Sequence, residues 1–321
     1  MEENFKKRIK FDRDIKEISI RVCRNYDLGE FKANSIILTG YEDFNYILET
    51  SKGKFLVKVF ASIRNDEDCK RYIEVIEEGI KAGISTPRLI KTDHGEYLDK
   101  INIDDFRLRL VLLEFIKGNT FYELNKKASR EEIKFLAKQA AIINSIAIKP
   151  KPVYDPWAVV NFLEEYNKKY KYLPEEDLVL IKPLISKFEE LNIERLPHCF
   201  VHGDIISTNV IKAKNKLWII DFAVSNYYPR IQELAVLSCN LFFDEESKKN
   251  STENLKIALK EYQEIVSLTQ NEIKALPTYI ELAHGMHLLS ANYEKVKNNN
   301  QTKENEYWIN QGRIGLKQFI E

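Results

Sequence analysis

The sequence has no excess of charge of either sign. Its 321 residues include 49 lysines and arginines and 49 aspartates and glutamates, so the formal net charge is zero. A protein that binds nucleic acid or an anionic membrane normally carries a basic excess or a strong basic patch. Because acidic and basic residues are interleaved along this chain, we expect a surface of mixed charge with no nucleic-acid or membrane partner.

Cysteines are few, and long apolar runs are missing. The four cysteines are widely separated and form no CxxC pair, so we expect free thiols of a reducing compartment. No window approaches 18 uninterrupted apolar residues, and the first residues, MEENFKKRIKFDRD, contain no apolar stretch of the kind found in a secretory signal. These absences predict a cytoplasmic chain, and nothing in the sequence implies a protein partner.

Two kinds of pattern follow one another along the chain. Up to residue 117, runs rich in aromatic and β-branched residues predict strands, the first of them starting at Ser35, with one helix at residues 66–82 that ends before Gly83. The polar stretch at residues 93–105 predicts a hairpin or loop. From residue 118 onward, apolar residues recur mostly at helical spacing and predict, among others, helices at residues 131–148 and 177–191. The predicted fold class is therefore α+β, with a small sheet-rich lobe at residues 1–117 and a larger helical lobe at residues 118–321.

Three polar side chains interrupt an apolar segment at residues 201–223, VHGDIISTNVIKAKNKLWIIDFA. Asp204 follows a short strand, and Asn209 comes five residues later. The string NVIKAKNKLWIID predicts a hairpin that brings Asn209 close to Asp221, at the end of its second strand. An amide oxygen and a carboxylate that meet in this way can share one hard cation with phosphate oxygens. Asp204 could then accept a proton from a substrate hydroxyl.

A single lysine stands in the middle of the apolar strand FLVKVF. Lys58 lies on the face opposite Phe55, Val57 and Val59 if the strand alternates regularly. Such a lysine often extends outward from a sheet edge with its ammonium in water. The alternative, that Lys58 binds an anion, depends on an anion site elsewhere in the chain.

The motif HGDxxxxN, followed twelve residues later by IDF, resembles the catalytic loop and metal motif of the aminoglycoside phosphotransferase superfamily. These protein-kinase-like enzymes include choline, homoserine, hydroxylysine and methylthioribose kinases. The resemblance implies a two-lobed protein-kinase-like fold and transfer of the γ-phosphoryl group of ATP (or GTP), with Mg²⁺, to a hydroxyl of a small amine-bearing molecule. It also implies that Asp204 is the catalytic base, that Asn209 and Asp221 are the magnesium ligands, and that His202 supports the loop.

The N-terminal part shows a second resemblance, to the nucleotide-covering loop and lysine strand of the same superfamily. GYEDFNYILET followed by GKFLVKVF carries it, and it implies that Lys58 binds the α and β phosphates. Only Gly40 is present where protein kinases have GxGxxG, and the absence of GxxxxGK[ST] excludes a P-loop kinase.

Two nucleotide contacts are less defined. The acidic partner expected for Lys58 is a glutamate on the helix at residues 66–82, and Glu74 is our prediction among several glutamates there. The string LLEFIKG resembles the hinge between the two lobes. The backbone from Glu114 to Ile116 would offer hydrogen-bond donors and acceptors to adenine.

Two alternatives to a small-molecule kinase stay open. A protein kinase is disfavoured by HGD in place of HRD and by the lack of an APE-like segment. A catalytically silent nucleotide-binding protein is disfavoured by the presence of the lysine, the base and both metal ligands. Glu233 stands where the superfamily usually has aspartate and is expected to be structural. His284, on a predicted late helix, is a candidate acceptor contact, but no motif identifies the acceptor.

Overall fold

A computed structural model describes residues 7–39 and 42–320. Gly40, in the expected nucleotide-covering loop, lies outside the described residues. The chain forms two compact units. The first extends to Gly118 and includes Ala213–Ile220, and the second contains Asn119–Lys212 and the residues from Asp221 onward. Among the helices that the structure describes, none combines the length and the hydropathy needed to span a bilayer.

An antiparallel sheet dominates the first unit. Its strands follow the order β1-β2-β3-β6-β4, and β5 also pairs with β6. Most apolar side chains of the central strands β2, β3 and β6 are buried, which fits a sheet covered on its core face. The strands are β1 (Phe31–Ile36), β2 (Phe44–Thr50), β3 (Gly53–Val59), β4 (Leu89–Ile90), β5 (Asp99–Ile103) and β6 (Phe106–Glu114).

Among the described residues, this unit contains helices α1 (Ile15–Asn25) and α2 (Asp66–Lys81). Ile18 and Val22, one helical turn apart on α1, are fully buried in a cluster with apolar residues of β2, β3 and β6. Helix α2 begins where Asn65 accepts hydrogen bonds from two backbone N–H groups of the first turn, within a capping box. The predicted helix at residues 66–82 is therefore confirmed to within one residue.

Local sequence patterns missed two features of the sheet. Strand β1 begins at Phe31, four residues before the predicted start. The sequence pattern missed this start because Lys32 and Asn34 leave the segment with few apolar residues. Strand β5 forms in a segment predicted only as a hairpin or loop. Asp99, Ile101 and Ile103 are buried alternately along it, and this short alternation is masked by the polar residues before it.

The segment Ala213–Ile220 joins the first unit although it lies far along the chain. It contains strand β10 (Lys216–Ile219). The hydroxyl of Ser85 donates to the carbonyl oxygen of Leu217 at 2.6 Å, and the backbone carbonyl oxygen of Ser85 accepts the N–H of Ile219 at 2.7 Å. These two bonds explain why the segment groups with residues before Gly118.

Helices make up most of the second unit. Its longest helix, α10, is buried on nearly all sides between Ala275 and Asn292 and is packed by α11, α8 and α5. Pro183 begins α7 and divides a predicted single helix at residues 177–191 into two. The helices are α3 (Phe121–Leu124), α4 (Arg130–Asn144), α5 (Phe162–Lys169), α6 (Glu175–Ile181), α7 (Pro183–Glu190), α8 (Ile231–Cys239), α9 (Lys248–Gln263), α10 (Gln270–Lys297) and α11 (Lys303–Ile320).

Two short antiparallel strand pairs complete the second unit. Strand β7 (Asn119–Thr120) pairs with β9 (Val210–Ala213), and β8 (His198–Val201) pairs with β11 (Asn226–Pro229). Strand β11 was not predicted, whereas β8, β9 and β10 appear where the sequence placed strands. The sheet-rich first unit and the helix-rich second unit confirm the predicted α+β class.

Candidate active site

Asp204, the predicted base, lies in the loop that joins β8 to β9. The residue before it, Gly203, has a φ of +82°, a conformation that glycine adopts without a steric cost. The amide Nδ2 of Asn209 donates to the backbone oxygen of Asp204 at 3.1 Å and to its carboxylate Oδ2 at 2.6 Å. Asn209 therefore fixes the orientation of the carboxylate, while its own amide oxygen takes no part in these bonds.

Negative charge accumulates around Asp204. Burial raises the pKa of Asp204 well above its usual range, and the charges of Asp155, Asp221 and Glu304 raise it further, against the bond from Asn209. Since like charges disfavour each other's ionised forms, a bound cation would stabilise this set of carboxylates. Asp155 and Glu304 come from distant parts of the chain, and no motif marked them.

Asp221 follows β10 and has a φ of +65°, in the left-handed region that aspartate tolerates better than most residues. Its Oδ1 accepts the N–H of Ala223 at 3.3 Å, which closes a local turn. Within the described residues, no group of three or more histidine, cysteine or acidic side chains could hold a metal. Mg²⁺ bound to a nucleotide needs only one or two protein ligands beside phosphates and waters, so Asn209 and Asp221 fit such an ion.

A buried glutamate holds the start of the loop that carries Asp204. Glu233, on α8, accepts the backbone N–H of His202 at 2.5 Å and that of Gly203 at 3.1 Å. Burial raises the pKa of Glu233 to about 7, although these bonds favour its ionised form. His202 is itself buried, with its ring 4.4 Å from that of Phe222, and its Nδ1 accepts the N–H of Asp204 at 3.2 Å. These contacts are those of residues that support a loop.

The far end of the loop is held by residues that the sequence did not mark. Ser207 donates its N–H to Asn240 Oδ1 at 2.8 Å, and its carbonyl oxygen accepts the N–H of Tyr122 at 3.0 Å. Asn240 in turn donates to Gln311 Oε1 at 3.1 Å. The loop is thus anchored to α8 at one end and through Asn240 to α11 at the other.

Lys58 is buried in the first unit, with its side chain 4% exposed. Its ammonium lies 3.2 Å from Oδ2 of Asp43, which is also buried. The ammonium also lies 5.1 Å from the ring centroid of Tyr72, on α2. Lys58 is therefore not a lysine that extends into solvent from a sheet edge.

The acidic partner of Lys58 differs from our prediction. Glu74 lies on the exposed side of α2, between the buried Ile73 and Val75. The carboxylate beside the ammonium instead comes from Asp43, immediately before β2. The prediction of Glu74 as this partner was wrong because the helix turns that position away from the core.

The expected adenine-binding backbone begins at Glu114, the last residue of β6. The N–H of Glu114 donates to the carbonyl oxygen of Arg88 at 2.9 Å, so this donor is already used within the unit. Ile116 lies beyond the end of β6, and its side chain is buried. Adenine binding by this segment stays a prediction.

His284 is a packing residue. Its side chain is 1% exposed, its ring lies 4.6 Å from that of Phe243, and a Cβ added to Gly315 would lie 2.0 Å from its Nδ1. Burial lowers the pKa of His284 to about 3, so the ring is neutral. We therefore discard the expectation that His284 contacts an acceptor, because α11 packs directly against it.

Known proteins resemble this chain in sequence over most of its length. A sequence model described as the phosphotransferase enzyme family matches residues 35–264. Homoserine kinase of Agrobacterium fabrum (strain C58 / ATCC 33970) is 24% identical over 270 residues, which cover 82% of this chain and 81% of that protein.

Two solved structures resemble the chain over nearly its whole length. An amicoumacin kinase in complex with AMP-PNP, Ca²⁺ and Ami has a TM-score of 0.70 at 16% identity, covering 99% of this chain and 96% of that one. A microcompartment-associated aminopropanol kinase has a TM-score of 0.72 at 12% identity, covering 94% and 95%. The predicted protein-kinase-like fold and the resemblance noted in the sequence are both confirmed.

Proposed function

This chain belongs to the phosphotransferase enzyme family and is a small-molecule kinase, and we propose that it transfers the γ-phosphoryl group of ATP to the hydroxyl of a small amino alcohol. The observation that carries this proposal is the loop in which Asn209 fixes the carboxylate of Asp204 at 2.6 Å. A carboxylate held in this way can orient a hydroxyl and accept its proton.

Each residue of the site has a separate role in the proposed phosphoryl transfer. Asp204 positions the acceptor hydroxyl, and Lys58 binds phosphate oxygens of the nucleotide. The amide oxygen of Asn209 and the carboxylate of Asp221 would hold Mg²⁺, which would neutralise phosphate charge. Phosphoryl transfer needs little covalent chemistry from the protein, so positioning and electrostatic stabilisation account for most of the rate.

An amine on the acceptor is supported by charge and by the relatives. The carboxylates of Asp155 and Glu304 act on Asp204 as negative charges, and an ammonium group next to the reacting hydroxyl would be attracted to them. The names of the homoserine kinase and the aminopropanol kinase both describe acceptors with an amine and a hydroxyl. We therefore place homoserine-like amino alcohols first, before choline-like and aminoglycoside acceptors.

The test is a panel of acceptors in a coupled assay of ADP release with Mg²⁺ and either ATP or GTP. The panel contains homoserine, hydroxylysine, 1-amino-2-propanol, ethanolamine, choline, an aminoglycoside, and an alcohol without an amine. We expect turnover with an amino alcohol and none with the amine-free alcohol. Equal turnover with the amine-free alcohol would overturn the choice of acceptor class, and phosphorylation of proteins alone would favour a protein kinase.

Asp204→Asn is the matched variant for the catalytic assignment. It keeps the size of the side chain but removes the carboxylate, so we expect turnover to fall about a hundredfold or more while nucleotide binding persists. Binding is followed as the shift in melting temperature with Mg²⁺ and ATP. Wild-type turnover by this variant would refute the role of Asp204, and nucleotide binding by the wild type without turnover on any acceptor would favour a silent protein.

A further inference from the structure

We infer that Asp43 is the residue that positions Lys58, in place of a glutamate on α2. The inference rests on the proposed function, because it concerns how the lysine that binds the nucleotide phosphates is held. It assigns a role to a residue of the YEDFNY string that the sequence did not single out.

The register of the sheet brings the two side chains together. Strands β2 and β3 pair in an antiparallel manner, with Asn45 opposite Lys58. Asp43 lies two residues before Asn45, immediately before β2, and its carboxylate reaches Lys58 in the position of a diagonal neighbour. The distance of 3.2 Å between the carboxylate and the ammonium follows from this register.

Asp43 is itself fixed in place. Its Oδ1 accepts the N–H of Ala61 at 3.0 Å and the guanidinium Nε of Arg64 at 3.0 Å, which leaves Oδ2 beside Lys58. Burial alone would raise the pKa of Asp43, but the charges of Lys58 and Arg64 lower it overall. The carboxylate is therefore ionised and rigid, as a group that orients a lysine must be.

Helix α2 presents a ring to the ammonium. The Tyr72 ring is 5.1 Å from Lys58 Nζ and is held by an edge contact with Phe60 at 5.3 Å. Tyr72 occupies a position on α2 where a glutamate could face the lysine. A cation over a ring is held less strongly than a cation beside a buried carboxylate, so Asp43 is the stronger of the two contacts.

The Asp43–Lys58 pair differs from an ion pair between Lys58 and a glutamate on α2 in what holds the two residues together. Lys58 lies in β3, and Asp43 immediately precedes the neighbouring strand β2, so the backbone hydrogen bonds between these two strands keep the residues close. The position of the ammonium then depends on the sheet and does not require α2 to supply a charge.

The test measures steady-state kinetics with ATP and with the best acceptor of the panel. Asp43→Asn keeps an acceptor for the N–H of Ala61 but removes the charge that faces Lys58. We expect kcat/KM for ATP to fall about tenfold to a hundredfold, because displacing a phosphate-binding group by about 1 Å has an effect of that order. The KM for the acceptor should change little, which a general loss of structure would not produce.

A double-mutant cycle with Lys58→Met isolates the interaction. If Asp43 acts through the lysine, Asp43→Asn has no further effect on kcat/KM for ATP once Lys58 is replaced. Arg64→Gln removes the other cation beside Asp43 and should cost less activity than Asp43→Asn. Glu77→Gln, the same loss of charge elsewhere on α2, is the matched control and should behave as the wild type.

A swap tests the position on α2. Adding Tyr72→Glu to Asp43→Asn places a carboxylate on the helix side of Lys58, and we expect it to restore part of the lost kcat/KM for ATP. If Asp43→Asn does not fold, Asp43→Glu takes its place. It keeps the charge, moves it by one methylene, and should lower kcat/KM for ATP about tenfold.

The inference is overturned if the folded Asp43 variant has wild-type kcat/KM for ATP, or if its loss is the same with and without Lys58. These results can be distinguished from those expected if the proposed function is wrong. In that case the wild type itself would bind no ATP with Mg²⁺ or would phosphorylate no acceptor.

Discussion

The backbone N–H of His202 donates to the carboxylate of Glu233 at 2.5 Å, and the next N–H along the chain donates to the same carboxylate. A single side chain on α8 therefore holds the two residues that precede Asp204. The longer glutamate, in a position where the superfamily usually has aspartate, reaches both donors. Because this carboxylate is buried, we expect its protonation to affect stability.

Glu233 should make the stability of the protein depend on pH. Its pKa is raised from 4.5 to about 7 in the folded protein, so the folded state binds a proton more tightly than the unfolded state. The resulting stabilisation is complete below about pH 4.5 and is lost as the pH rises through about 7. At about 1.4 kcal/mol for each pKa unit, Glu233 should lower the free energy of unfolding by roughly 3 kcal/mol across this range.

Comparison with Glu233→Gln isolates this effect from other titrating groups. The difference in free energy of unfolding between the wild type and the variant, measured by urea titration from pH 4.5 to 8, should decline as the pH rises. A difference that is constant with pH would show that Glu233 does not have a raised pKa.

The loop that carries Asp204 could be located from sequence because its polar residues lie close together along the chain. Asp204, Asn209 and Asp221 lie within 18 residues of one another, in a motif whose spacing is set by one loop and two short strands. The helices at residues 66–82 and 131–148 were also predictable, since apolar periodicity and capping residues are local signals.

The partner of Lys58 could not be predicted in this way. It depends on the register between β2 and β3, and a shift of one residue would turn Asp43 to the other face of the sheet. Asp155 and Glu304 were missed for a related reason. Asp155, in the loop before α5, and Glu304, on α11, come near Asp204 only because segments far apart in sequence pack together.

Asp221→Asn should separate metal binding from folding. Asparagine tolerates the left-handed backbone at this position, and the substitution removes a negative charge that acts on Asp204. We expect kcat to fall about a hundredfold and the Mg²⁺ concentration for half-maximal activity to rise. The melting temperature without metal should be unchanged or higher, because a like-charge repulsion is removed. Unchanged kcat with the wild-type Mg²⁺ requirement would exclude Asp221 as a ligand.

Gly315→Ala should destabilise the contact between α10 and α11. A Cβ at this position would lie 2.0 Å from Nδ1 of His284, which is shorter than any van der Waals contact. Alanine favours a helix, but overpacking a buried site typically costs about 1–3 kcal/mol, so we expect a net loss measured by thermal and urea unfolding. In a His284→Ala background the same substitution should cost less, and equal costs in both backgrounds would show that the two residues do not meet.

Arg313→Met should be among the more destabilising substitutions in the second unit. Arg313 donates to both carboxylate oxygens of Asp177, at 2.6 and 2.9 Å, and Asp177 is fully buried. Asn292 on α10 donates to the same carboxylate at 3.0 Å. Removing only the arginine leaves a buried charge without its cation, which typically costs about 3–5 kcal/mol.

Adding Asp177→Asn to Arg313→Met distinguishes two causes of instability. One is the loss of the ion pair, and the other is a buried carboxylate left without its cation. The double variant has no buried carboxylate at this position, so its free energy of unfolding, measured by urea titration, should exceed that of Arg313→Met alone. This order follows because a buried ion pair gains little net stability over neutral groups, whereas half of a pair is strongly unfavourable. If the double variant is instead less stable than Arg313→Met, Asp177 stabilises the unit through contacts other than the one to Arg313.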